Sequence, residues 1–234
     1  MTATTGKSAL IIGASRGLGY ALAAEYLARG WQVTATVRGA GRTGLHDLAR
    51  SSGGRLVVET VDITVPEEVA ALHDRLARTT FDLLFVNAGV TNGPGETIGD
   101  VSTDTFVRLM VTNALSPMRV VETLQDLITP HGTIGVMSSG LGSVTNNNTK
   151  SGFEVYRASK SALNQLMRSF AARHAGDPRT LLLMAPGWVQ TGLGGPAAPL
   201  TIGQSIPGVV DTIEAQAGQG GLQYLDYQGQ TVRW

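Results

Sequence analysis

The sequence predicts one α/β domain built on a doubly wound parallel sheet of about seven strands. Three observations carry this expectation. Short, continuously apolar runs recur along the chain, longer segments of helical character separate them, and glycines punctuate the ends of both. With 234 residues, 42% hydrophobic and 15% charged, the chain can bury a full core and does not have a disordered composition.

The elements follow in order. SALIIG (8–13) reads as a buried strand, and GLGYALAAEYLARG (17–30) as a helix stopped by Gly30. WQVTATVR (31–38) is a second strand, followed by a short helix that ends at Gly53 and Gly54. RLVVETVD (55–62) is a third, and the helix after it opens with Thr64 as cap and Pro66 in its first turn. FDLLFVNAG (81–89) is a fourth strand running into glycine. A long helix over 103–128 follows, bent by Pro117. GTIGVMSS (132–139), RTLLLMAPG (179–187) and the stretch beginning GLQYLD (221–226) complete the strands, with a helix over 154–175 between the first two. Residues 188–208 are rich in Gly and Pro and show no period.

Composition excludes several function classes. Eighteen basic and eighteen acidic residues give a formal charge of zero, so no broad surface attracts nucleic acid or an anionic membrane. Without cysteine there is no disulfide, thiolate catalysis or Cys metal site. The histidines are scattered and the carboxylates lack ligand spacing, so no metal site is expected. No stretch approaches the ~18 apolar residues of a membrane span, and the apolar run near Met1 is too short for a secretory leader, so a cytoplasmic protein is expected. Asn147–Thr149 fits a glycosylation acceptor, which without a leader reads as chance.

Between the first strand and first helix stand Gly13, Ser15, Arg16, Gly17, Leu18 and Gly19. Glycines let a backbone approach a pyrophosphate closely, and the helix N-terminus adds free N–H groups and a positive dipole. The spacing is G-x-x-x-G-x-G, and a ligand-free tight turn would satisfy it as well. GASRG also fits the G-x-S-x-G nucleophile elbow, with Ser15 as nucleophile. That reading fails on order: only one strand precedes it, and His131 alone of the histidines is placed in a loop. After the second strand, Arg38 stands where an acid would bind a ribose 2′-hydroxyl. A guanidinium there suits a 2′-phosphate, and Arg16 can join it, so NADP(H) is preferred over NAD(H). Asp62, followed by Ile63, is placed to meet an adenine amino group or to cap the next helix; Asn87, Ala88 and Gly89 form either a close backbone approach to a ligand or a turn.

Tyr156 and Lys160 are four residues apart on one helix face. A phenol titrates near pH ~10, and an adjacent ammonium favours phenolate. Bringing the tyrosine to neutrality takes about 4 kcal/mol of differential stabilisation, which the lysine and a bound nicotinamide could supply together. A tyrosine so tuned is a general acid for a carbonyl receiving hydride.

GASRGLG (13–19), NAG (87–89), NALSP (113–117), MSSGLG (137–142), YRASK (156–160) and APGWVQT (185–191) follow one another in this order. The series resembles the short-chain dehydrogenase/reductase family in its compact single-domain branch, over nearly the whole chain. YRASKSALN and LDYQGQTVRW are similar to its sniffer-type carbonyl reductases and C-factor proteins. The resemblance implies a single Rossmann domain over 1–234 with a substrate lid near 188–210. It implies Tyr156 as acid/base, Lys160 binding the nicotinamide ribose, Ser139 polarising the substrate carbonyl, and Asn113 holding a relay water. Pro186, Gly187, Val189 and Thr191 would then cover the nicotinamide, and Asn87 would lie beside the adenosine. It further implies an aldehyde or ketone substrate, or the corresponding alcohol, and a homodimer or homotetramer. The alternative is an NADP(H)-binding regulatory protein of C-factor type with little turnover; a lyase or epimerase is disfavoured by the short chain. Two departures stand out. Ile12 replaces the family's usual threonine before Gly13, and seventeen positions separate Ser139 from Tyr156, a long gap whose insert TNNNTKSG (145–152) is expected to be a mobile loop.

Overall fold

A computed structural model describes residues 6–93, 95–147 and 152–234. Its strands are β1 (Ser8–Ile12), β2 (Gln32–Val37), β3 (Leu56–Thr60), β4 (Phe81–Val86), β5 (Ile128–Met137), β6 (Thr180–Ala185) and β7 (Gly221–Asp226). They form one sheet in the order β3-β2-β1-β4-β5-β6-β7, every pairing parallel. The order reverses between β1 and β4, which opens a crevice at the C-terminal ends of those strands.

The helices are α1 (Gly17–Ala28), α2 (Gly44–Ser51), α3 (Pro66–Leu76), α4 (Thr103–Met110), α5 (Ser116–Leu124), α6 (Glu154–Arg173) and α7 (Ile202–Gln216). Continuously apolar strands are needed because both sheet faces are covered. Leu10 and Ile12 of β1 face a core completed by α3, α5 and α6. Ala9 and Ile11 face a second core completed by α1, α2 and α7. α1 ends as the sequence predicts: Gly30 takes φ of 84°, and the Trp31 amide donates back to the Tyr26 carbonyl at 3.0 Å.

Four elements differ from expectation. The long helix over 103–128 is interrupted before Pro117, by a π-helical turn over Val111–Leu115 in which the Ser116 amide donates five residues back to Val111. Pro117 stands at the start of α5, where a missing N–H is tolerated, and it gives no donor to the Asn113 carbonyl four residues earlier. β5 starts at Ile128, earlier than the glycine at 132 suggests. Thr64 is not the cap of α3. Val65 holds that position, while Thr64 bonds the Asp62 carboxylate through its amide and hydroxyl at 2.9 and 2.7 Å.

The largest difference is α7, half of which lies in the stretch without apparent period. Its start is a capping box: the Thr201 hydroxyl accepts from the Gln204 amide at 3.3 Å, and Gln204 Oε1 accepts from the Thr201 amide at 2.8 Å. Ile206, Val209, Val210 and Ile213 are buried at helical spacing in the α1 core, which holds the helix despite Pro207. Gly208 is required by contact, since a β-carbon there would stand 2.4 Å from the Tyr227 carbonyl oxygen. Arg29, which caps the C-terminus of α1, bonds Glu214 at 2.9 Å and so clips the two helices together. Replacing Thr201 with Ala is expected to cost about 1 kcal/mol. Calorimetry should register it as a melting temperature lower by about 2–4 °C.

Candidate active site

The C-terminal strand ends bring the sequence motifs to one edge of the sheet. Gly13 follows β1, Arg38 follows β2, Asp62 and Ile63 lie just beyond β3, Asn87 follows β4, Ser139 lies beyond β5 and Pro186 follows β6. The first turn is held by long-range bonds. The Gly13 amide donates to Thr36 Oγ1 on β2 at 3.0 Å, and Asn87 Nδ2 donates to the Gly13 carbonyl at 2.9 Å. A hydroxyl from the neighbouring strand therefore serves the loop that Ile12, buried in β1, cannot.

This turn fits a pyrophosphate. Gly13 has φ of 86°, and a β-carbon at Gly19 would lie 2.1 Å from the Gly13 carbonyl, so loop and helix touch backbone to backbone. A β-carbon at Gly17 would meet nothing within 4 Å, which leaves that side open. The cap position, Arg16, supplies no side-chain bond to the free amides of α1, and the first turn carries no acidic residue. Ser15 is half-buried and Leu18 packs on the α1 core. Arg16 and Arg38 are exposed and have no ion-pair partner among the described residues. Asp62 spends its carboxylate on Thr64, the capping alternative, and the Ile63 side chain is buried in the core.

At the other end of the crevice, α6 presents Tyr156 and Lys160. Phe153 enters this helix with φ of 58°, a left-handed conformation rare outside glycine. Lys160 Nζ lies 5.9 Å from the Tyr156 ring centre and donates to the Met137 carbonyl at 2.8 Å. Asn113 reaches in from the π-helical turn. Its Oδ1 accepts from the Val90 amide, its Nδ2 donates to the Val90 carbonyl, both at 2.8 Å, and Nδ2 also donates to Ser159 Oγ at 2.9 Å. These bonds lay the Ala88–Gly89 backbone across the lysine: a β-carbon at Gly89 would be 3.6 Å from Nζ. Beyond β6, Gly187 has φ of 82°, Val189 pairs with Leu200, and Thr191 Oγ1 accepts from the Gly194 amide at 3.0 Å.

Ser139 Oγ accepts from the Leu141 amide at 3.2 Å, which leaves its proton free for donation. Burial pushes the Tyr156 phenol up to about 12, with a hydrogen bond from Ser139 pulling the other way. Burial also pushes Lys160 down to about 8. In the ligand-free protein burial decides the direction for the tyrosine; the sequence expectation joins the lysine to a bound nicotinamide. His131, the one partner open to a Ser15 nucleophile, lies on β5 near its start and lines a cleft with Lys7 and Asp82, at the opposite end of the sheet. Among the described residues no three His, Asp or Glu side chains cluster as metal ligands, and no helix is long and apolar enough to cross a membrane. The insert between Ser139 and Tyr156 lies partly outside the described residues, as does the Asn147–Thr149 acceptor.

The family profile described as short chain dehydrogenase matches residues 7–199. This chain belongs to that family. It is an oxidoreductase, and its sheet and helices are those of the solved members. A short-chain dehydrogenase/reductase from Burkholderia multivorans with bound NADP is 60% identical, with a TM-score of 0.96 over 98% of this chain and all of the other. The carbonyl reductase Sniffer of D. melanogaster is 28% identical, with a TM-score of 0.84 over 98% of this chain and 100% of the other. C-signal of Myxococcus xanthus is 34% identical over 155 residues, 65% of this chain and 92% of that protein.

Sequence reasoning missed Thr36 and Tyr224, whose phenol donates to the Ser139 carbonyl 85 residues away. Only tertiary pairing puts either one at the site.

The lysine's low value has a definite sign. The unfolded chain holds the proton up to the ordinary 10.5 and the folded chain only to about 8, so its cost is full below pH 8 and fades as pH rises to 10.5. Lys160→Met is expected to raise the ligand-free melting temperature at pH 7 by roughly 3–8 °C. The gain should shrink when melting is followed from pH 8 to pH 10.

Proposed function

We propose that this protein reduces an aldehyde or ketone to the alcohol with NADPH, reversibly. The observation that carries the reading is the convergence of Ser139, Tyr156 and an unpaired, buried Lys160 at the end of a crevice whose other end is a glycine turn with two free arginines. Membership of the family, and a fold shared with a carbonyl reductase, support it.

Gly13, Gly17, Leu18 and Gly19 would hold the pyrophosphate, Arg16 and Arg38 the 2′-phosphate, Asn87 to Gly89 the adenosine side, and Pro186 to Thr191 the nicotinamide. NADPH, when bound, supplies the hydride. Ser139 Oγ, already accepting from Leu141, donates its proton toward the substrate carbonyl oxygen and fixes it beside Tyr156. Tyr156 carries its proton at neutral pH and gives it to the alkoxide, which is far more basic than a phenolate. The ammonium of Lys160 lies one helical turn away, in a site of low dielectric, and stabilises the phenolate that remains. The proton returns through Lys160. The Asn113 carbonyl, which position 117 cannot bond, is the acceptor for a water on that route.

Apolar surface flanks this end. Val144 and Trp188 are 72% and 57% exposed on the loops beyond β5 and β6, and with Leu193 they favour an apolar carbonyl compound. The likeness to C-signal favours a second reading, a regulatory NADP(H) binder with little turnover. Tight NADPH binding without oxidation across a panel of aldehydes and ketones would select it.

Two variants test the first reading. Tyr156→Phe should lower kcat by about 10³-fold or more while NADPH still quenches or enhances fluorescence with unchanged affinity; retained turnover removes the tyrosine from its role. Arg38→Asp should weaken NADPH binding about 10- to 100-fold and leave NADH binding within a few-fold. Equal losses for both nucleotides would take Arg38 away from the phosphate.

A further inference from the structure

We propose that Tyr224 is a positioning residue for Ser139, and that β7 and the segment after it brace the Ser139 loop at both ends, through Tyr224 on the strand and Trp234 beyond it. This rests on the reading of Ser139 as the group that meets the substrate carbonyl.

The loop beyond β5 is tight. Ser139 Oγ accepts from the Leu141 amide at 3.2 Å, and the Ser139 carbonyl accepts from the Gly142 amide at 2.8 Å. The same carbonyl accepts from the phenol of Tyr224, which reaches across from β7. Tyr224 is 2% exposed and its ring belongs to the apolar core of the α6 face. A phenylalanine would fill that volume without adding a buried hydroxyl that needs a partner. The hydroxyl donates to the backbone of the residue whose side chain is aimed at the substrate, and Asn164 and Ser138 bond it from the side. Its surroundings are equally constrained, since Ser138 Oγ donates to Asn164 Oδ1 at 2.6 Å within the same buried patch.

The brace continues past β7. The Val232 amide donates to the Tyr224 carbonyl at 2.8 Å and turns the chain back over the strand. The Trp234 ring then packs on the Tyr224 ring with centres 5.5 Å apart, under the Arg168 guanidinium of α6, which lies 4.7 Å from the indole. The Trp234 backbone oxygen accepts from the Thr145 amide at 2.9 Å. The stretch from Tyr224 to Trp234 thus fixes the loop at Ser139 and again at Thr145, the first residue of the insert. A loop free at either end would let Ser139 Oγ move, and a displacement of about 1 Å at a reacting group costs up to about 10²-fold in rate.

The test compares Tyr224→Phe, Trp234→Ala and Trp234→Phe with the wild type, by kinetics and by amide exchange. Tyr224→Phe should lower kcat about 10- to 100-fold, with carbonyl KM and NADPH Kd within about twofold. Exchange at the Leu141 and Gly142 amides should accelerate about tenfold or more, with melting little changed. Trp234→Ala should reproduce both effects and expose the Thr145 amide, and Trp234→Phe should restore most of the rate. Unchanged kcat and exchange in Tyr224→Phe would overturn the proposal. So would losses of kcat, NADPH affinity and melting temperature in step, since that pattern marks a general packing role. Ser139→Ala separates the two readings. If it turns over like the wild type, the carbonyl role of Ser139 fails and the proposal falls with it; if it is inactive while Tyr224→Phe is normal, only the positioning claim falls.

Discussion

A buried ammonium without a carboxylate partner is the constraint around which this site is arranged. Lys160 is 3% exposed, and among the described residues no acid lies within ion-pair distance. Its charge is held by dipoles, chiefly the Met137 carbonyl at 2.8 Å, and burial pulls its pKa down to about 8. A carboxylate beside it would stabilise the fold and also neutralise the field that a phenolate on Tyr156 needs. On the proposed reading, leaving the lysine unpaired keeps that field available for charge that develops only during reaction. The cost is borne by the folded state, as is common where a site needs a group that packing alone would reject.

The neighbours of Lys160 follow from that constraint. Asn113 saturates both polar groups of Val90, which fixes the backbone at Gly89 against the ammonium. Asn113 can do so because the π-helical turn over Val111–Leu115 rotates it inward, where it is fully buried. Met137 ends β5, so the carbonyl that receives the lysine is positioned by the parallel pairing to β6. Ser139 is two residues further on, and its loop is closed by its own carbonyl and hydroxyl. Lys160 and the Ser139 loop are therefore fixed by elements from the middle of the sheet, while the glycine turn at β1 is fixed by β2 and β4 through Thr36 and Asn87.

Much of this was legible in the sequence where the signal is local. Strands buried on both faces must be apolar throughout, so SALIIG and TLLLMA stood out. Gly13, Gly17, Tyr156 and Lys160 are informative because spacing places them on one turn or one helix face. The misses have two causes. Some signals were local but masked: the Thr201–Gln204 capping box and the apolar positions from Ile206 to Ile213 predict α7, yet Pro207, Gly203 and Gly208 in the same window hide the period. Others are not local at all. Thr36 and Tyr224 look like ordinary strand residues, and only strand order brings Thr36 Oγ1 to the Gly13 amide and the Tyr224 phenol to the Ser139 carbonyl. Burial at Tyr156 is likewise a tertiary property, and it sets the direction of the ligand-free phenol, which spacing to Lys160 does not reveal.

The two ends of the crevice also bear differently on whether the protein turns over or merely binds. Holding a dinucleotide requires a glycine turn, open helix amides and, for a 2′-phosphate, cations such as Arg16 and Arg38, all of which sit at the surface at little cost to the fold. The Lys160 end is different. A ribose hydroxyl can be held by neutral donors, and an uncharged side chain at position 160 would relieve the desolvation that depresses the ammonium. The same holds for Tyr156, whose buried hydroxyl a phenylalanine would remove without loss of volume. Binding gives no reason for both costs to fall on adjacent turns of one helix beside a serine that is braced from β7. The proposed proton transfer to a carbonyl oxygen would account for all three groups at once.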